Sequence, residues 1–91
     1  MVVSEHAIAR WKLRTGSTRS DAVVERRILT ALANAREVWV KRKYRALQLL
    51  NHGLREARYY RTGDLILVVE GEVIKTVHSG DAGRWTDRRD Q

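Results

Sequence analysis

The chain reads as an α+β domain: two N-terminal helices packed on a small antiparallel β-sheet of about four strands, with a short extra helix between the first and second strands. Three observations predict this. Apolar residues recur at helical spacing through Ala35, and the pattern then changes to short runs rich in β-branched and aromatic residues. The run Leu65-Ile66-Leu67-Val68-Val69 is apolar on both faces, which suits the centre of a sheet. Helices precede strands without the regular alternation that builds a parallel sheet.

Each element has a local cause. Ser4 can cap a first helix in which Ala7, Ile8 and Trp11 fall on one side at about 100° per residue, with Trp11 assigned to the core. His6, Arg10 and Arg14 form a drifting basic stripe beside that apolar side. Thr15-Gly16-Ser17-Thr18 breaks the pattern. Thr18-Arg19-Ser20-Asp21 offers a capping box for a second helix running to about Ala35, whose buried stripe is Val24, Ile28, Ala31, Leu32 and Ala35. Arg36 to Val40 is a short strand with Val38 and Val40 on one face and Trp39 on the other.

Tyr44 to Asn51 is leucine-rich with helical spacing (Leu47, Leu50, Leu54), and Asn51-His52-Gly53 looks like its stop. Ala57 to Thr62 is a strand, Gly63-Asp64 a turn, Leu65 to Val69 the central strand, and Glu70-Gly71 a tight turn into Glu72 to His78. Regular alternation in that last strand puts Ile74, Thr76 and His78 on one face, with Val73, Lys75 and Val77 on the other. Arg84-Trp85 folds back onto the body. Residues 1–85 form one domain, and 86–91 are a frayed tail.

Composition bounds the chemistry. Ninety-one residues, 43% of them hydrophobic and 32% charged, support one modest core with ionic residues nearly everywhere else. The absence of cysteine excludes disulfides, thiolate zinc sites and a cysteine nucleophile. There is no glycine-rich phosphate loop, no His-Glu-x-x-His and no carboxylate pair at metal-ligand spacing, so neither cofactor nor metal is expected. The longest aliphatic run falls far short of the ~20 residues that cross a bilayer, and the first residues lack the basic start of a signal peptide. The expectation is a cytoplasmic protein with no membrane partner.

The net charge of +7, from eighteen Lys and Arg against eleven Asp and Glu, favours a polyanionic partner, nucleic acid above all. Arginine supplies most of the excess, and its guanidinium binds phosphate bidentately and stacks on bases. Lys41-Arg42-Lys43 with Arg45 is the densest basic run, suited to a phosphate backbone or to plain solvation beside Trp39. Tyr59 and Tyr60 point to opposite faces of one strand, so that one packs while the other, with Arg61 or Arg58, can stack on a base.

The opening Ser4-Glu5-His6-Ala7 with Arg10 and Arg14, and the closing Val73-Ile74-Lys75-Thr76-Val77-His78, resemble the RelE/barnase/colicin-like ribonuclease-toxin superfamily. Within it, the chain is most similar to small bacterial and phage proteins with an HA…R…R start and an ITV end. The resemblance covers most of the chain in layout and about ten residues in identity. It implies metal-independent cleavage of RNA, with His6, Arg10, Thr76 and His78 as catalytic candidates. Arg14, Lys41, Arg42, Lys43, Arg45, Arg61 and Tyr60 are the phosphate or nucleic-acid-binding candidates.

The chemistry is self-consistent. Attack of a 2′-hydroxyl on the adjacent phosphorus needs a base, an acid for the leaving 5′-oxygen, and fixed positive charge on the non-bridging oxygens. Two histidines with ordinary pKa values of about 6.5 can share the first two tasks. His6 and His78 would be that pair, with Arg10 and Arg14 clamping phosphate and Thr76 positioning it. This arrangement requires both imidazoles to face one cleft. The alternative is a non-catalytic module of the same fold that binds nucleic acid, an acidic antitoxin or a host protein through its basic face.

Overall fold

The chain runs β1 (Val2–Val3), α1 (Glu5–Thr15), α2 (Asp21–Ala33), β2 (Arg36–Val40), α3 (Arg42–Asn51), β3 (Arg58–Thr62), β4 (Leu65–Glu70), β5 (Val73–Ser79) and β6 (Trp85–Thr86). These elements come from a computed structural model that describes residues 1–51, 56–81 and 83–87. The α+β class holds, with three helices among the described residues and the extra helix between β2 and β3. The sheet has six strands rather than four, in the order β1-β5-β4-β3-β2-β6. It is mixed rather than antiparallel, because β1 runs parallel to β5. Both extra strands are two residues long, too short to show a period of two.

Capping residues set the helices. Ser4 Oγ accepts from the Ala7 N–H at 3.0 Å, and α1 ends at Gly16, whose N–H donates to Lys12 O at 2.8 Å. For α2 the cap is Ser20, which accepts from Val23 N–H at 3.4 Å, rather than Thr18, and the helix closes at Ala33 instead of Ala35. Lys12 and Asp21 form an ion pair where the two helices meet. The α3 stop expected at His52-Gly53, with Leu54, lies outside the described residues.

β4 is central, as its doubly apolar run requires, and it divides the core in two. Leu67 and Val69 join Val3, Ala7, Ile8, Val24, Ile28, Ile74 and Val77 beneath α1 and α2, with Trp11 packed alongside. Ile66 and Val68 join Val38, Val40, Tyr59 and Trp85 on the other face. Trp85 reaches across that face: its ring centroid lies 4.9 Å from Tyr59 and its Nε1 donates to Ser79 O at 3.3 Å. Thr86 pairs with Trp39, and Arg36 Nε lies 3.3 Å from Asp87 Oδ1, so ordered pairing extends past residue 85.

The turn into β5 is Gly71-Glu72 rather than Glu70-Gly71, and β5 then breaks its own alternation. Val69 pairs with Ile74 but Val68 pairs with Thr76, so Lys75 is an extra residue in a β-bulge. An inserted residue reverses the facing of everything beyond it. Ile74 and Val77 therefore lie under the helices, whereas Thr76 and His78 sit on the opposite face with their partners Val68 and Ile66. The expected single face of Ile74, Thr76 and His78 is corrected for that reason.

Helix α1 secures this irregular edge. Ser4 N–H donates to Ile74 O at 3.0 Å, Ser4 Oγ to Lys75 O at 2.9 Å, and Arg14 Nε to Val77 O at 2.9 Å. The bulge turns carbonyls of two successive residues, Ile74 and Lys75, toward Ser4, and one serine meets both. Past the end of β1, these side chains do the work of a neighbouring strand.

Candidate nucleic-acid interface

The bulge decides where the two histidines lie. His6 is exposed on α1, whose buried Ala7 and Ile8 pack against Leu67 and Val77. His78 pairs with Ile66 on the reverse face, half-buried, with its ring centroid 6.4 Å from that of Trp85. The sheet stands between the helix that carries one imidazole and the face that carries the other, so the single cleft expected for His6 and His78 is not formed. Arg10 is exposed on α1, and Thr76 is buried at 9% exposure, in the row Val38, Tyr59, Val68, Thr76.

The remaining candidates divide in a similar way. Arg14 is engaged through Nε at the β5 edge. Arg61 belongs to the cross-strand row Arg36, Arg61, Ile66, His78, and its Nη1 donates to Gly80 O at 3.2 Å. A Cβ at Gly80 would meet Arg61 Nη1 at 2.7 Å and Asp64 O at 2.9 Å, so this approach requires glycine. Tyr60 packs half-buried against the helix-side core, and Tyr59 is buried in the other, so both tyrosines of the pair are packed.

The basic run at the start of α3 is different, because here the fold gathers charge at the surface. Arg42, Lys43 and Arg45 are exposed and Lys41 is half-buried. Lys41 N–H donates to Arg84 O at 3.0 Å, which brings Arg84, far away in sequence, to the same place. Lys43 Nζ lies 5.1 Å and Arg84 Cζ 5.3 Å from the centroid of the Tyr44 ring, within cation–π range. Tyr44 is half-buried against the Trp85 cluster, so its ring is held in place. Two cations thus lie on one packed aromatic, with Lys41, Arg42 and Arg45 beside it in the chain.

Beside this cluster a cavity of about 560 Å³ opens between α3 and the end of the sheet where β2 finishes and β3 begins. Its walls include Trp39, Arg45, Gln48, Glu56, Arg58 and Tyr59. Gln48 is the one buried residue of α3 with a described side chain, at 2% exposure, and its Oε1 accepts no hydrogen bond among the described residues. Burial, reinforced by the charge of Glu70, pushes the Tyr59 hydroxyl up to about 12, so the phenol stays neutral. Glu70 Oε1 is itself buried without a hydrogen-bond partner among those residues.

Sequence reasoning singled out Lys41, Arg42, Lys43 and Arg45 but missed Tyr44, Gln48, Arg58 and Arg84 as parts of one region. A helical wheel drawn from Tyr44 finds Gln48, four residues on and on the same face. Nothing local marks Arg84. No group of three or more His, Asp or Glu that could hold a metal ion occurs among the described residues, nor does a helix long and apolar enough to cross a membrane. Compared with protein-family models, curated proteins and solved structures, the chain matches none.

Proposed function

We propose that this chain is a nucleic-acid-binding module that holds single-stranded RNA on the surface formed by the start of α3 and Arg84. The observation that carries this reading is the pair of cations, Lys43 and Arg84, placed on the ring of Tyr44 with Arg42 and Arg45 beside them. Cations gathered at one surface can follow a phosphate backbone, and the packed ring of Tyr44 holds two of them in place. The net charge of +7 adds long-range attraction, and the resemblance to ribonuclease toxins is consistent with a phosphodiester ligand. The module reading is preferred to the nuclease because His78 belongs to the face of the sheet opposite the one that α1, the helix carrying His6, covers.

The test is binding of a labelled single-stranded RNA across a salt series in excess EDTA. Affinity should fall steeply with salt, and Arg42→Ala with Lys43→Ala should weaken binding and reduce the logarithmic salt slope by roughly one to two. The RNA should be recovered intact. Binding indifferent to salt and to these changes overturns the proposal. Metal-free cleavage abolished by His78→Ala or His6→Ala would replace it with the endoribonuclease.

A further inference from the structure

We propose that the cavity beneath α3 is an adenine-reading pocket with Gln48 as its specificity-determining residue; this deepens the single-stranded RNA reading and rests on it. The argument starts from an inversion. Leu47, Leu49 and Leu50 are exposed at 49%, 37% and 65%, while the glutamine among them is buried. Packing alone favours the opposite choice, because a buried polar group that meets no partner destabilises the fold and a buried leucine stabilises it. The Gln48 amide borders the cavity with its acceptor unused, so the missing partner is a ligand donor.

The walls define that ligand. Glu37 and Glu56 stand among Arg45 and Arg58, and Glu37 Oε2 lies 3.9 Å from Arg58 Nε, so the rim carries both signs and suits a neutral group better than a phosphate. Tyr59 and Trp39 border it from opposite faces of their strands, and the volume lies within the ordinary range for small-molecule pockets, roughly 300–1,000 Å³. A glutamine amide fits adenine in bidentate fashion: Oε1 accepts from the exocyclic amino group and Nε2 donates to a ring nitrogen. Arg45 lies in the cavity wall and in the basic run, so a strand following the α3 cations passes the pocket mouth. The phosphates then give affinity and the inserted base gives selectivity.

The experiment compares labelled oligoadenylate and oligouridylate of about eight nucleotides, using the full chain and Gln48→Leu, with thermal melting to confirm that the variant folds. The wild type should bind the adenylate about tenfold more tightly. Gln48→Leu should lower adenylate binding to the uridylate level and leave uridylate binding unchanged. Equal, salt-dependent binding of both oligomers by the wild type overturns the pocket and leaves the RNA surface standing, and so does an adenine preference that survives in Gln48→Leu. Failure of both oligomers to bind overturns both proposals.

Discussion

Helices α2 and α3 divide their residues in opposite ways. α2 turns Val24 and Ile28 fully into the core and leaves Glu25, Arg26 and Arg27 outside, the arrangement expected of an amphipathic helix on a sheet. α3 buries Gln48 and leaves Leu47, Leu49 and Leu50 exposed. α2 balances Asp21 and Glu25 against Arg26 and Arg27 while α3 carries three cations, yet both have aliphatic residues enough to fill a buried face, so a shortage of apolar side chains does not explain the difference. α2 is arranged to hold the fold together, whereas α3 stands over a cavity and keeps a polar group at its wall. Stability rests on the α2 side of the sheet, and the recognition proposed above falls to the other.

Breaking the α2 side should have the largest effect. Ile28 is completely buried among Leu67, Val69, Val77 and the α1 side chains. Ile28→Ala removes methylenes from a close-packed site and should destabilise the chain by about 2–5 kcal/mol, a large share of what a small domain has. Urea denaturation measures it. A loss below about 1 kcal/mol would mean that the helix-side core is loosely packed and that the contrast with α3 is false.

A second effect is smaller and specific to alkaline pH. The Tyr59 hydroxyl, near 10 in an unfolded chain, rises to about 12 in the fold, chiefly through burial and then through Glu70. Between these values the native state holds a proton that the unfolded chain has lost, so stability falls as pH rises from 10 toward 12. The full difference amounts to roughly 3 kcal/mol. Below pH 10 this group should contribute no slope. Denaturation at successive pH values, with Tyr59→Phe as the control, separates it from the lysines. An identical slope in the control would show that Tyr59 titrates normally and that its side of the sheet is wet.

How much of this was legible follows from how far each cause extends along the chain. Ser4, the Ala7-Ile8-Trp11 side and the β4 run act over a few residues, so α1 and the central strand could be read directly. The same holds for the basic run Lys41 to Arg45, whereas Arg84 joins it through tertiary contacts, to Lys41 along the backbone and to the Tyr44 ring. The bulge at Lys75 was hidden, since an extra residue in a strand has no signature when no glycine marks it, and the groups that meet its edge, Ser4 and Arg14, lie about seventy and sixty residues away. That one residue moves Thr76 and His78 to the other side of the sheet. It also shows why a motif at each end of a chain does not by itself make a site.

The smallest predicted effect is the most direct check on how α3 is set. Leucines at helical spacing ordinarily face a core, and were α3 rotated by about one residue, or 100°, Leu47 or Leu49 would replace Gln48 inside. In the arrangement found here Leu50 is 65% exposed, so Leu50→Gln removes little buried surface and should change stability by less than about 0.5 kcal/mol. Under the rotated alternative Gln48 would face water, and Gln48→Leu would then add exposed apolar surface without a gain in stability. As placed, Gln48→Leu replaces an unsatisfied buried amide and should raise the melting temperature. A neutral Leu50→Gln together with a stabilising Gln48→Leu fixes the helix in its present setting, with a polar side chain held inside at the expense of stability.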